Sequence, residues 1–280
     1  MTRPGRAVAE VVAVVVAVVV AFPLYWMALA AFKPQAEIQS TDPRPWTTAP
    51  TLDNFRRVFT LDGLGGYFVN SVIVAVIVVL VSMLLSFLAA VALTRFRFRG
   101  RTVLLVMLLV AQMVPVEALT IPLFFLMRQV GTAVPEFGLN HLGSLVLVHL
   151  AFSLPLAIWM LRGFVAAVPV ELEEAATLDG ASRARFVWQV LFPLVAPGLV
   201  SASVLAFIHA WNDFLFAKTF IISATENQTL PMAILVFFTP EGNDWGAIMA
   251  GSVIMTIPVL VFFVIVQRRL VSGLAGAVKG

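Results

Sequence analysis

The sequence predicts an all-α fold, a polytopic membrane protein with six transmembrane helices. Hydrophobic residues make up 61% of its 280 residues and charged residues only 12%, about half the share usual in a soluble domain. Such a chain has too little polar surface to cover itself in water. Its apolar residues also fall into six stretches that are too long and too continuous for the alternating strands of a membrane β-barrel.

Each of the six stretches is long enough to cross a bilayer, because about 20 helical residues span about 30 Å of hydrocarbon. The first is longer than the roughly 7–15 residues of a signal-peptide core and lacks a clear cleavage site, so we expect it to be retained. Pro115 and Glu117 interrupt the third, which either crosses as one span or ends near Val114 and continues as a shallow helix. The predicted spans are residues 11–32, 67–94, 102–127, 142–161, 194–222 and 246–266.

Basic residues in the flanks predict the orientation. Of the 18 lysines and arginines, twelve flank one side of the spans and six lie on the other side, in longer loops. Because positive flanks stay in the cytoplasm, we predict a multi-pass protein of the plasma or inner membrane with both termini cytoplasmic. The twelve are Arg3, Arg6, Arg95, Arg97, Arg99, Arg101, Arg162, Arg183, Arg185, Arg268, Arg269 and Lys279, and the six are Lys33, Arg44, Arg56, Arg57, Arg128 and Lys218.

Several function classes are disfavoured by the sequence. The net charge of +3 is too small for a nucleic-acid partner, and the absence of cysteine excludes thiolate metal sites and disulfides. There is no phosphate loop of the form G-x-x-x-x-G-K-[ST], so we expect no ATP binding by this chain. No H-E-x-x-H or G-x-S-x-G motif is present, and we expect neither an enzyme nor a cofactor or metal site.

The segment 169–193, between spans four and five, predicts a small helix–turn–helix on the cytoplasmic side. Pro169 suits a first helical position, and acidic residues favour the positive end of the helix that follows. Gly180 is a good helix terminator. Ser182 can then cap a second short helix that ends before Pro193. The acidic residues are Glu171, Glu173 and Glu174.

The same segment carries a resemblance to a known family. Glu174-Ala175-Ala176, three residues, Gly180, nine residues and then 190–193 (Val-Leu-Phe-Pro) resemble the EAA loop of binding-protein-dependent ABC importer permeases. Ile and Leu are usual where this chain has Val190 and Phe192, and both changes keep apolar character. Further segments are similar to the carbohydrate branch of the family, and most similar to the maltose-system G-type subunit. They are residues 32–34, 51–55, 70–71, 113–115, 121–123, 211–213 and the tail 273–280.

The resemblance implies a type I importer permease fold and an assembly. It implies one permease domain over residues 1–280, with core helices over 67–266 and a cytoplasmic coupling loop at 169–193. The partners would be a second permease, two ATP-binding subunits and an extracytoplasmic solute-binding protein, with a sugar as substrate. The residues 212–280 resemble permeases for N-acetylglucosamine or chitobiose, while glycerol phosphate and other oligosaccharides stay open. The implied coupling residues are Glu171, Glu174, Ala175, Ala176, Asp179, Gly180 and Arg183.

Polar residues inside the spans are candidates for lining a solute pathway. His209 and Asp213 are four residues apart and would share a helix face. A carboxylate at mid-bilayer costs about 2.5–3.5 kcal/mol and normally faces a cavity or a partner. The alternatives are an inter-helix hydrogen bond or a position near the outer interface, and for the residues beside Pro115 a bond to freed backbone groups. The candidates are Gln112, Glu117, His209, Trp211, Asn212 and Asp213.

Other polar positions suggest local roles. His149 stands alone in span four and is expected to be packed, and Asn70 and Ser71 to make interface contacts. In the outer loop we expect a short helix over Asp53–Phe59, which serves either as a docking surface for the binding protein or as a connector. The tail after Arg269 is either a disordered end or a contact with the ATPases.

An ion-coupled secondary transporter is the alternative function. It would need intramembrane ionisable residues as a relay, and usually more spans in repeated halves. Asp213, Glu117 and His209 are its only candidates. The sequence has no evident internal repeat, and this function would leave the segment 169–193 without a role.

Overall fold

The computed structural model describes residues 3–240 and 242–277, and the side chains of 8–240 and 242–267. Helices dominate these residues, and the only strands among them are the two-residue β1 (Phe238–Thr239) and β2 (Gly242–Asn243), which form an antiparallel hairpin. The all-α prediction is therefore confirmed. The helices are α1 (Arg3–Ala31), α2 (Gln35–Ile38), α3 (Asp53–Phe59), α4 (Leu64–Arg95), α5 (Arg101–Gln112), α6 (Thr120–Ala133), α7 (Leu142–Ala167), α8 (Glu171–Leu178), α9 (Arg183–Arg185), α10 (Phe192–Trp211), α11 (Leu215–Phe220), α12 (Leu230–Ala233) and α13 (Trp245–Ala277).

Six membrane crossings fit these helices. Five are single helical runs, and the sixth is broken, since α5 and the segment Val116–Ala133 meet at a bend of 93°. Pro115 lies in the break with extended backbone (φ −59°, ψ 126°), because proline cannot donate the bond that would continue α5. The interruption of the third span at this residue is confirmed. The five single runs are Val8–Ala31, Leu64–Arg95, Leu142–Ala167, Arg183–Trp211 and Trp245–Gln267.

The predicted fifth span, residues 194–222, is wrong at both ends. The helical run begins at Arg183 and ends at Trp211, and residues 212–214 separate it from α11. The carboxylate of Asp213 accepts hydrogen bonds from the backbone amides of Phe216 and Ala217 at 3.1 and 3.0 Å. A new helix starts here because a side-chain acceptor satisfies the free amides of its first turn. The fourth span also runs further than predicted, to Ala167.

Within the described residues the chain forms two compact units, drawn from Met1–Leu64 with Ala233–Pro258 and from Gly65–Met232 with Val259–Gly280. In the first unit, Asn54 closes the end of α1 by donating to the carbonyls of Ala31 and Lys33, each at 2.8 Å. A Cβ at Gly246 would overlap the Asn54 side chain, so glycine is required there. The predicted helix over Asp53–Phe59 is confirmed with the same bounds.

The core of the second unit lies where α4, α7 and α10 pack together. Phe87, Leu161 and Leu191 are fully buried at its centre. α7 and α10 approach closely at Gly198, where an added Cβ would lie 2.5 Å from the Phe164 ring. Small residues at such crossings let helices in a membrane pack by close contact. This core sits directly against α8 and the turn that precedes α10, because Ala176 and Val187 pack onto it.

Candidate functional site

α8 is an exposed helix with a well-formed end. It runs from Glu171 to Leu178; its end before Gly180 is as predicted, but it begins two residues after Pro169, which was expected at the first helical position. Gly180 has a φ of +78° and donates its amide to Thr177 O at 3.0 Å, while the Ala181 amide bonds Ala176 O at 2.9 Å. These two bonds are the Schellman motif, in which a left-handed residue, usually glycine, ends the helix.

The outward surface of α8 combines acidic groups with apolar side chains. Leu178 is 89% exposed, and Val170 and Leu172 are also exposed. Ala176 instead faces inward and packs on the core of the second unit. A leucine this exposed in a polar loop is typical of a surface that another protein covers. The exposed members of the predicted coupling set are Glu171, Glu174, Ala175, Asp179, Gly180 and Arg183.

Arg95 fastens α8 to the end of α7. Its Nη2 donates to Val168 O at 2.7 Å and Val165 O at 3.2 Å, and its Nε lies 3.8 Å from Glu173 Oε2. The sequence counted Arg95 only among the flanking charges. Its partners lie 70 or more residues away along the chain, and a basic residue at the end of a span was the only signal for this role.

The second half of the segment joins α10 without a break. Ser182 Oγ accepts from the Arg185 amide at 3.3 Å, which confirms the predicted cap. The prediction that the short helix ends before Pro193 is wrong. The helix passes through a π-helical turn over Phe186–Leu191 into α10. A π turn suits this position, because the proline ring excludes the regular bond to the preceding turn.

Aromatic contacts brace the same segment against α4. The Phe87 ring lies 5.8 Å from Trp188 and 5.3 Å from Phe192. On the other side of the turn, the Arg183 guanidinium stands 5.7 Å from the Phe96 ring. Together with the Arg95 bonds, these contacts tie the segment 169–193 to α4 and α7.

Two of the predicted pathway residues share a cavity. Gln112 and His209 line a space of about 70 Å³ together with Ser153 and Met160. Gln112 Nε2 also donates to Phe152 O at 3.2 Å, so it bonds a backbone carbonyl as well. A water molecule takes up about 30 Å³; the cavity therefore has room for a few waters but not for a sugar ring.

Asp213 does not share a helix face with His209, because α10 ends at Trp211. Besides capping α11, its Oδ2 lies 3.3 Å from Nε2 of His149, and both side chains are almost fully buried. This contact does not have the geometry of a regular hydrogen bond. His149 is thus packed, as predicted, but it does not stand alone.

The other pathway candidates lie apart from this cavity. Trp211 is 1% exposed and packs with its ring 5.6 Å from Phe207 and 5.8 Å from Phe68. Asn212 is exposed, and Glu117 is exposed in the turn Val116–Leu119. The structure therefore joins Gln112 to His209 and separates the remaining four candidates from them.

Asn residues hold the loops that follow α6 and α11. Asn70 Nδ2 donates to the carbonyls of Glu226 and Gln228 at 2.7 and 2.9 Å, which confirms the expected polar contacts. Asn140 was missed: its φ is +65°, and its Oδ1 accepts from the amides of Ile222 and Ser223 at 2.7 and 2.9 Å. The available signal was the residue type, since asparagine tolerates the left-handed region.

Among the described residues, no group of three or more His, Cys, Asp or Glu could hold a metal ion.

Two predictions fall partly or wholly outside what the structure describes. The tail 273–280 continues α13 as far as Ala277, and its side chains and residues 278–280 lie outside the described part. The same holds for Lys279 and for the side chains of Arg3, Arg6, Arg268 and Arg269.

Comparison with known proteins reveals extended similarity. Residues 82–276 match a family described as the binding-protein-dependent transport system inner membrane component. The diacetylchitobiose uptake system permease protein DasC of Streptomyces coelicolor is 42% identical over 277 residues, 99% of this chain and 98% of that protein. The trehalose transport system permease protein SugB of Mycobacterium tuberculosis is 37% identical over 262 residues, 92% of each chain.

A solved structure has the same fold. A chain of a bacterial ABC transporter involved in the import of the acidic polysaccharide alginate superposes with a TM-score of 0.76. The match covers 96% of this chain and 98% of that chain at 21% identity. At this identity the likeness concerns the arrangement of the helices.

Proposed function

Since the chain belongs to the family of binding-protein-dependent transport system inner membrane components, we propose that it is the permease subunit of an ATP-driven importer for a sugar or an oligosaccharide. It is a multi-pass inner-membrane protein with the type I importer permease fold, not an enzyme. A diacetylchitobiose permease and a trehalose permease are related to it over more than nine-tenths of its length. The higher identity to the first favours an N-acetylglucosamine disaccharide as the solute.

The translocation pathway is formed with a second permease. The cavity that contains Gln112 and His209 is too small for a sugar ring, and large apolar side chains of α5, such as Val106, Met107 and Val110, are exposed. A second subunit packed against such helices would enclose a wider space. The Gln112 amide and the His209 imidazole would then face the solute. Each can donate a hydrogen bond to a solute hydroxyl group or accept one from it.

Energy reaches the pathway through α8. The observation that carries this proposal is the exposed surface of α8 around Leu178, on a helix clamped to α7 by Arg95. A cytoplasmic ATPase that covers this surface moves α8 when its nucleotide sites close. Because Arg95 holds α8 to the end of α7 and a short turn joins α8 to the helical run of α10, these spans rotate with it, and the pathway opens alternately to the two sides.

The outer loop that contains α3 receives the solute-binding protein. Leu52 before α3 and Phe59 at its end are exposed apolar residues, and Arg57 of α3 forms an ion pair of 2.7 Å with Asp244 at the end of the β1–β2 hairpin. Beside them lies an open cleft of about 510 Å³. Apolar side chains with a partly exposed charge pair suit a transient protein interface, whose rim is polar.

The ion-coupled alternative receives no support from the geometry. It needs Asp213 as an exchangeable relay group, yet both carboxylate oxygens accept backbone amides of α11. Glu117 lies in an exposed turn, and neither Glu117 nor Asp213 lines the cavity that contains Gln112 and His209.

The orientation and the coupling surface can be tested together, because the chain has no cysteine. We would make Leu178→Cys and Phe59→Cys and treat intact cells with a membrane-impermeant maleimide. Phe59→Cys should label from outside. Leu178→Cys should label only in inverted vesicles from which the ATPase has been removed, and the bound ATPase should protect it from labelling. Labelling of Leu178→Cys in intact cells would exclude a cytoplasmic coupling surface.

Solute identity is tested separately, by uptake of labelled diacetylchitobiose and trehalose in cells that lack the gene and in complemented cells.

A further inference from the structure

A charged cleft separates α8 from the turn that joins α4 to α5. It has a volume of about 800 Å³ and is open on one side. Arg97 and Arg101 stand on one wall, and Glu173, Glu174 and Leu178 on the other. Both walls belong to the second compact unit.

The charges in this cleft are only partly neutralised. Arg95 and Glu173 pair across its floor, but Arg97, Arg101 and Glu174 form no ion pair within the part of the chain that the structure describes. The Arg95 side chain is only 9% exposed, and its Nε has no hydrogen-bond acceptor. Arg97 and Glu174 are exposed and Arg101 is partly exposed, so these three charges are open to pairing with groups of another molecule.

The distribution of charge favours a protein over a lipid. An anionic headgroup attracted by Arg97 and Arg101 would also meet the carboxylates of Glu173 and Glu174 on the facing wall. A protein segment can instead present an acidic group to the arginines and a basic group to Glu174, while an apolar side chain covers Leu178. Such paired complementarity is how protein interfaces fix their register.

We propose that this cleft is a second docking site for the ATP-hydrolysing subunit, which inserts between the arginine turn and α8 a segment with an acidic group for Arg97 and Arg101 and a basic group for Glu174. The inference rests on the proposed coupling role of α8 and extends it, because the ATPase then grips the junction of α4 and α5 as well as that of α7 and α10. A single closing movement would act on both pairs of helices.

The test measures ATPase binding to the permease heterodimer in nanodiscs of phosphatidylcholine alone, which removes anionic lipid. Arg97→Glu combined with Arg101→Glu should weaken binding about tenfold, mainly in the association rate, and the loss should shrink at high salt. Arg99→Glu is the matched control, since Arg99 is exposed in the same turn but does not line the cleft. It should change the affinity less than about twofold.

The outcomes separate this inference from the proposed function. Leu178→Asp tests α8 itself and should abolish binding. If Leu178→Asp abolishes binding while the double arginine variant behaves like Arg99→Glu, the second docking site is excluded and the coupling role stands. If wild type does not bind the ATPase, both fail. A defect that appears only in discs with anionic lipid would assign the arginines to the membrane and overturn the proposal. The double variant Arg97→Gln with Arg101→Gln should lose less affinity for the ATPase. It guards against a folding defect caused by the reversal of both charges.

Discussion

Replacing Gly180 by valine should uncouple ATP hydrolysis from transport. Gly180 has a φ of +78°, and no heavy atom lies within 4 Å of a Cβ built on it. The substitution therefore creates no clash, and its cost comes from the backbone alone. A residue other than glycine in the left-handed region costs roughly 1–2 kcal/mol, and a β-branched one is disfavoured further.

This cost falls on the end of α8. A penalty of about 1–2 kcal/mol lowers the population of the native turn about 5- to 30-fold relative to competing turns. The two bonds that Gly180 and Ala181 make to Thr177 and Ala176 are lost in those turns, and Leu178 moves from its native position. Membrane insertion should be unchanged, because the turn lies outside the spans.

The assay is reconstitution with the partner permease and the ATPases in proteoliposomes, measuring solute uptake and solute-stimulated ATP hydrolysis in parallel. We expect Gly180→Val to lose most of its uptake per ATP hydrolysed. Gly180→Asn should stay close to wild type, since asparagine tolerates the left-handed region. Gly163→Val is the matched control, because Gly163 is exposed in α7, has a negative φ and has no heavy atom within 4 Å of a Cβ. Unchanged uptake and hydrolysis in Gly180→Val would refute the assignment of α8 as the coupling element.

Three further substitutions test the anchors and the pathway. Arg95→Met removes charged hydrogen bonds to Val165 and Val168, each worth about 1.5–3 kcal/mol, and should lower the Tm of the purified protein by several degrees; an unchanged Tm would mean that the clamp is not formed. Asp213→Ala removes the cap of α11 at a cost of about 0.5–2 kcal/mol, seen as a lower Tm with an unchanged KM for uptake, whereas a raised KM in the milder Asp213→Asn would argue for contact with solute. His209→Ala should raise the KM for uptake with little effect on Tm, and equal KM values would remove His209 from the pathway.

The local features of the chain followed from its sequence wherever neighbouring residues set the structure. Pro115 predicted the break in the third span, and Gly180 the end of α8, because each residue acts through its own backbone geometry. The helix cap formed by Ser182 and the short helix Asp53–Phe59 were predicted for the same reason. The helix–turn–helix of residues 169–193 thus followed from its acidic residues and Gly180, whereas its coupling role was implied by the resemblance to the EAA loop.

Errors arose where a local pattern was compatible with more than one conformation. Asp213 was expected to face His209 on a continuous helix, but its carboxylate caps α11 and lies beside His149. The predicted end of the second short helix before Pro193 failed because a π turn carries the chain past the proline. In both cases the local pattern allowed two conformations, and packing in the second unit selected one.

Hydrophobicity and charge along the chain determined that it is a six-span membrane protein with an exposed acidic helix between spans four and five, since burial in lipid depends on the apolar length of each segment alone. Only the tertiary structure decided how that helix is held and what it can move. Residues about 70 to 90 positions apart come together here. They do so in the Arg95 bonds to Val165 and Val168, in the stacking of Arg183 on Phe96 and in the cleft beside Arg97. No periodicity of a single helix encodes such contacts, because they arise when α4, α7 and α10 pack and bring their ends to one place.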